Sequence, residues 1–268
     1  MSTAAATELR HGAPAPSPAR PSLRPIALPT EHGGWGFLFE PLVLGLAVAP
    51  SWAGALIAVA AIFGFLTRQP LKFAMQDALR RKHYPRTRGC WRFAAIYGSG
   101  AIAAIAMATA LHGWLILVPF AAVAPLAAIA LAADARNQSR ALLPELAGSI
   151  AMTSSAAAIA IAAGRPWTLA LSLVALLVAR GVPAIVYVRT LLQRGHGRTA
   201  ALWPSIALHI LAVIAASFYG WFAAFATVLL LVRAIWGLTH EVPRAKTIGW
   251  REIAFGAMSV ALFTVSVR

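Results

Sequence analysis

Apolar runs broken by short polar, glycine or proline interruptions recur along almost the whole chain. Nine can be marked, at 35–49, 52–66, 93–111, 114–133, 142–163, 167–188, 201–219, 221–238 and 250–267. Several approach the length an α-helix needs to cross a hydrocarbon core of about 30 Å. The first two are shorter, and the first is interrupted by Glu40-Pro41. The pattern predicts an all-α polytopic transmembrane bundle of about nine spans.

Composition agrees. Of 268 residues, 60% are hydrophobic and 12% charged, with mean hydropathy +0.73. That charged share is about half that of a soluble globular domain. Lys and Arg number 23 against 8 Asp and Glu, a net charge of +15. Because these cations fall between apolar runs, they are read as topology signals rather than a nucleic-acid footprint, and no nucleic-acid partner is expected. They load alternate connections. Arg68 to Arg92 follow the second run, Arg136 and Arg140 the fourth, Arg189, Arg194 and Arg198 the sixth, and Arg244 and Lys246 the eighth. The intervening connections carry only Arg165. Basic residues resist translocation, so the loaded side is expected in the cytoplasm, with the N-terminus in and Arg268 out. Trp35, Trp52, Trp114, Trp167, Trp221 and Trp250 lie near run boundaries, where interfacial anchors belong.

Residues 1–27, rich in Ala, Pro and Ser, are expected to be a disordered cytoplasmic tail with no signal peptide, and 28–268 a single transmembrane domain. The single Cys90 excludes an internal disulfide and a cysteine-based zinc site.

Ionisable residues in or against apolar runs are candidates for function. Glu31, His32 and Glu40 open the first run. Glu40 is either an acid or cation-binding group in a cavity or one half of a structural pair, with Arg68 as a partner. His32 is either an acid–base group or a helix-end contact. If helix continues past Pro70, then Arg68, Lys72, Gln76 and Arg80 recur every fourth residue as one polar stripe, and Asp77 can pair with Arg81. Such a stripe suits a phosphate or diphosphate, or else lipid headgroups. Glu145 sits at a helix start, where the dipole favours a carboxylate. Ser149, Thr153 and Ser154 read as helix-packing contacts. Arg180, Ala184, Tyr187, Leu191 and Arg194 share one face of a helix containing Pro183, and Arg189 lies beside it. Arg233, Trp236 and His240 repeat this style. His209, in mid-run, is expected to make an interhelical hydrogen bond.

Pro29 to Gly45, with its Thr-Glu-His-Gly-Gly-Trp core and Phe-Glu-Pro-Leu continuation, and Phe65-Leu-Thr-Arg-Gln-Pro-Leu-Lys72 resemble the YwiC-like family of bacterial membrane proteins. That family is defined largely by an E-H-G-x-W segment and a following R-Q-P-L segment. The resemblance extends over residues 27–268 and implies a bacterial inner membrane location without an activity. A more distant resemblance is to UbiA-type membrane prenyltransferases. These have nine spans and polar motifs after spans two and six, where Asp-rich sequences hold Mg²⁺ against an isoprenoid diphosphate. Here those positions hold Gln76-Asp77 and Tyr187-Val188-Arg189. One Asp is a poor start for Mg²⁺, which needs several oxygen ligands, so no cofactor is predicted.

Three functions are thereby framed. The first is a UbiA-like scaffold that binds an isoprenoid or lipid-linked anion through Arg68, Lys72, Gln76, Arg180, Tyr187 and Arg189, with Glu40, Asp77 and His32 as candidate acid–base groups. The second is a small-anion transporter. The third is a non-catalytic membrane assembly partner.

Overall fold

The computed structural model describes residues 24–27, 32–82 and 84–268. The chain before Arg24, Thr30, Glu31 and the His32 side chain lie outside the described residues. Every described element is helical. α1 (Arg24–Ala27) is a single turn. The nine apolar runs then form α2 (His32–Val48), α3 (Trp52–Leu79), α4 (Thr87–His112), α5 (Val118–Ala135), α6 (Leu142–Ala162), α7 (Trp167–Gly195), α8 (Trp203–Ser217), α9 (Trp221–Thr239) and α10 (Ala245–Val267). A 3₁₀ turn, Trp114–Leu117, leads into α5. Seven are long and apolar enough to cross a bilayer, and α2 and α8 are the two shorter apolar helices.

Helix α3 runs thirteen residues past the end of its apolar run, through Pro70, and α7, which contains Pro183, runs seven past its own. Arg68, Lys72 and Gln76 of the polar stripe are therefore on α3, as the four-residue spacing requires, whereas Arg80 stands just past its end. Ser51 starts α3 by accepting a hydrogen bond from the Gly54 amide at 2.9 Å.

The centre of the bundle is α6 and α7, about half buried along their apolar windows (56% and 50%), against 11% for α4 and for the segment leading through α5. Small residues let α2 approach α6 closely. A Cβ on Gly45 would stand 3.2 Å from the Ala156 Cα, inside a buried run of Ala156, Ala157, Ala158 and Ala160. With little hydrophobic force between helices in lipid, such close packing is a main source of association. The outer faces carry Ile102, Met107, Leu111, Leu211 and Ile214, all exposed.

Side-chain contacts fix which connections share an end. Lys72, near the end of α3, donates to Ser139 in the α5–α6 connection at 3.0 Å. Arg189, near the end of α7, donates to the Arg140 carbonyl in that same connection at 2.8 Å. Arg194 donates to the Leu238 carbonyl at the end of α9 at 2.5 Å. At the opposite end Arg268 donates to the Ala47 carbonyl, and Ser266 to the Tyr219 carbonyl at 2.7 Å. The arginine-rich connections thus gather at one end, hereafter the basic end.

Trp52, Trp114, Trp167, Trp221 and Trp250 are exposed at or near helix starts. Trp35 departs from the anchor pattern. It is half-buried, stacks on Phe39 and meets Phe65 edge-on at 5.0 Å. Gly34 makes room for this, since a Cβ there would lie 3.1 Å from the Phe65 ring.

Candidate functional site

Three groups of charged residues and one further ion pair lie on the basic half of the bundle. The innermost joins α2, α7, α9 and α10. Arg180 donates through Nη2 to the Glu252 carbonyl oxygen at 2.9 Å, and the same nitrogen pairs with Glu40 Oε1 at 2.9 Å. The Glu252 carboxylate lies 3.9 Å from it and binds Arg233 through Oε1. The charges therefore alternate, Glu40, Arg180, Glu252, Arg233, which is how buried ions offset their desolvation. Arg180 and Arg233 are buried, and Glu40 and Glu252 nearly so.

Their depths agree. Glu40 is eight residues from the start of α2, Arg233 six from the end of α9 and Glu252 seven from the start of α10. At about 1.5 Å per residue these lie roughly 9–12 Å below the basic end. Arg180 starts deeper, fifteen residues before Gly195, and closes the group from α7.

Two glycines make the cluster possible. A Cβ on Gly256 would collide with Glu40 Oε1 and stand 2.9 Å from Arg180 Nη2, so the Glu40–Arg180 pair rests on bare α10 backbone. A Cβ on Gly237 would collide with the Tyr187 hydroxyl. The Arg233 guanidinium in turn lies over the Tyr187 ring at 4.1 Å and near Phe255 at 5.3 Å, a favourable cation–π setting.

A second group sits where α3 meets α5. Arg68 grips Asp134 with two bonds, Nε to Oδ2 at 2.6 Å and Nη2 to Oδ1 at 3.0 Å. Gln76 donates to the Asp134 carbonyl at 2.8 Å and Lys72 reaches Ser139. Arg68, Lys72 and Gln76 of the predicted stripe thus share one face, docked at the α5 terminus. Arg68 pairs with Asp134 rather than with Glu40, because α5 and not α2 covers that face.

The third group is the α3–α4 corner. Asp77 accepts from the Thr87 hydroxyl at 2.7 Å and from Arg86 at 3.2 Å. The expected Asp77–Arg81 pair does not form. Helix α3 ends at Leu79 and Arg81 takes a left-handed backbone (φ 51°), which turns it away. Arg189 pairs with Glu145 at 2.9 Å, giving that helix-start carboxylate a second partner. Glu40, Arg180 and Tyr187 thus come together, and so do Arg68, Lys72 and Gln76, whereas Asp77 and Arg189 stand in separate pairs.

A narrow crevice adjoins the inner cluster between α2, α6 and α7. Phe37, Ile150, Leu177 and Val178 give it apolar walls, with Glu40, Ser149 and Thr153 among its lining. Ser149, Thr153 and Ser154 donate back to carbonyls of their own helix. His209 departs from expectation in the same way. Its Nδ1 meets the Ser205 carbonyl one turn back at 2.7 Å, and no interhelical bond forms.

The profile of one protein family, the YwiC-like proteins, matches residues 28–161, half the chain and the half that carries Glu40, Arg68, Gly45 and Asp134. The chain belongs to the YwiC-like family. No curated protein and no solved structure matches it. With its apolar helices, this YwiC-like chain is a multi-pass integral membrane protein. In it, Glu40 of the matched half pairs with Arg180 beyond that half, so the inner cluster links the family segment to the C-terminal helices.

Glu252 escaped the reading of the sequence, as did the roles of Gly237 and Gly256. A carboxylate seven residues into an apolar helix was a usable signal for Glu252. Nothing local marks the two glycines, whose role depends on side chains from other helices.

Proposed function

We propose that this protein lies in the bacterial cytoplasmic membrane with its basic end inside, and that it binds the head of an isoprenoid or lipid-linked anion about 10 Å below that face. One observation carries the reading. Arg180 and Arg233 are buried side by side around Glu252, yet Arg180 Nε and Arg233 Nε and Nη2 have no hydrogen-bond partner. In Arg68 the same Nε–Nη2 edge holds the Asp134 carboxylate. In Arg233 that edge is buried without a partner, and an oxyanion of the same geometry would satisfy it. Unpartnered donors are costly away from water, so an occupant there would be favoured.

Tyr187 supports the Arg233 guanidinium from below. Arg68, Lys72, Gln76 and Arg189 stand nearer the basic end and would draw an anion towards it. The crevice walls are apolar and would have to part to take a prenyl or acyl chain. Glu40 and Glu252 hold the arginines in place, and Asp77 holds the α3–α4 corner. Nothing beyond binding is assigned to the site.

The test is binding of geranylgeranyl diphosphate and of dioctanoyl phosphatidic acid to the purified, folded protein. Arg233→Lys keeps the charge and removes the fork. It should weaken binding by about tenfold or more, the worth of a hydrogen bond to a charged group. Absence of binding to both ligands, or an unaffected Arg233→Lys variant, would overturn the proposal.

A further inference from the structure

Among the described residues, seven buried side-chain polar atoms lack a hydrogen-bond partner, and six of them belong to Arg180, Ser205, His209, Arg233 and Glu252. These residues come from α7, α8, α9 and α10. His209 meets the Tyr187 ring edge-on at 6.2 Å, while Arg233 covers the face of that ring at 4.1 Å. Ser205 lies one turn from His209 on α8, and its carbonyl takes the His209 Nδ1 contact. Three of the six atoms thus belong to residues that meet on one aromatic ring, and Glu252, Arg180 and Ser205 adjoin those residues through their own contacts.

Their chemistry is mixed. Nδ1 of His209 faces a carbonyl oxygen, so it carries the hydrogen, and in the neutral ring Nε2 is an acceptor. Glu252 Oε2 is a second acceptor. Arg180 Nε and Arg233 Nε and Nη2 are donors, and the Ser205 hydroxyl can act either way. A bare phosphate or diphosphate offers only acceptor oxygens in its fully ionised form. It would satisfy the guanidinium edge and leave His209 Nε2 and Glu252 Oε2 unmet. A head with a phosphate and a neighbouring hydroxyl answers both sets.

We infer that the site selects a hydroxyl-bearing phosphate ester, its phosphate on the Arg233 edge and its hydroxyl towards His209 and Ser205. The inference rests on the anion-binding reading above and adds the class of head group. His209 and Ser205 act here as specificity determinants, with no bond made or broken.

The experiment compares four probes on the full-length protein in detergent. Dioctanoyl phosphatidylglycerol and dioctanoyl phosphatidylmethanol carry the same charge and chains, and only the first has hydroxyls. Glycerol 3-phosphate and methyl phosphate repeat the comparison without a lipid. Phosphatidylglycerol should bind about fivefold more tightly than phosphatidylmethanol, the worth of one or two neutral hydrogen bonds. Ser205→Ala and His209→Leu should each shrink that ratio. Ser205→Ala is a small change on a helix and keeps the test open if His209→Leu does not fold. If glycerol 3-phosphate shows the same preference over methyl phosphate, the selectivity is confirmed for a soluble ester, and if only the lipid pair shows it, for a lipid head. Equal binding of the two lipids and of the two soluble esters, or preferences that survive in Ser205→Ala, overturns the inference while leaving anion binding intact. Loss of binding to all four probes overturns both.

Discussion

Replacing Gly256 by alanine puts a methyl group where the Glu40 carboxylate now lies. The added carbon would collide with Glu40 Oε1 and stand 2.9 Å from both Arg180 Nη2 and Glu40 Cδ. Forcing a methyl into packed surroundings costs about 1–3 kcal/mol. Moving the carboxylate off Arg180 adds part of the roughly 3–5 kcal/mol carried by a broken buried pair. Arg180 keeps its bond to the Glu252 carbonyl, so a total loss of about 2–4 kcal/mol is expected. In a Glu40→Ala background, of these three atoms only Arg180 Nη2 still stands within 3 Å, and as the tip of a flexible side chain it can shift. There Gly256→Ala should be neutral, or stabilising by up to about 1 kcal/mol from helix propensity. The coupling between the two sites should therefore be about 2 kcal/mol or more, well above the scatter for independent positions. A double-mutant cycle, read as reversible unfolding in mixed micelles with helical circular dichroism, measures it. Additive effects would refute the placement of Glu40 against α10.

Other perturbations probe different parts of the structure. Asp77→Ala removes the acceptor shared by Thr87 and Arg86. With Arg86 partly exposed, it should cost about 1–3 kcal/mol and speed amide hydrogen exchange at the α3–α4 corner. Gly45→Val should lower the melting temperature through overpacking of about 1–3 kcal/mol, because Ala156 Cα already lies 3.2 Å from the Cβ position. Arg268→Ala should change stability by less than about 1 kcal/mol, since its contact with Ala47 is exposed. In a Cys90→Ala background, Lys82→Cys and Arg194→Cys should react with an impermeant thiol reagent from the same side of sealed vesicles. Labelling from opposite sides would break the shared basic end.

The helices were legible because hydrophobic runs bounded by cations, Gly and Pro carry both span and end signals. Each run is one helix. Apolar periodicity alone could not place the ends of α3 and α7, whose last turns are polar and held by partners such as the Asp134 and Leu238 carbonyls. The stripe of Arg68, Lys72 and Gln76 was readable from its spacing, because residues four apart share a face. Its partner was not, since the choice between Glu40 and Asp134 depends on which helix packs beside α3. The prominence of Arg180 followed from a cation in an apolar run. Its convergence with Glu252 and Arg233 did not, because those residues are separated by whole helices and meet only through α9 and α10. Trp35 and His209 show the same limit. Their positions fit an anchor and an interhelical bond, but a glycine-opened aromatic contact and a carbonyl one turn back supply the nearer partners.

An experimental density map of the protein in nanodiscs containing phosphatidylglycerol bears most directly on the central claim, that the buried arginine cluster below the basic end holds an anionic head. Density should stand against the Nε–Nη2 edge of Arg233 and continue into a chain along the bundle. An Arg233 edge closed by protein side chains, with no density beside it, would contradict it.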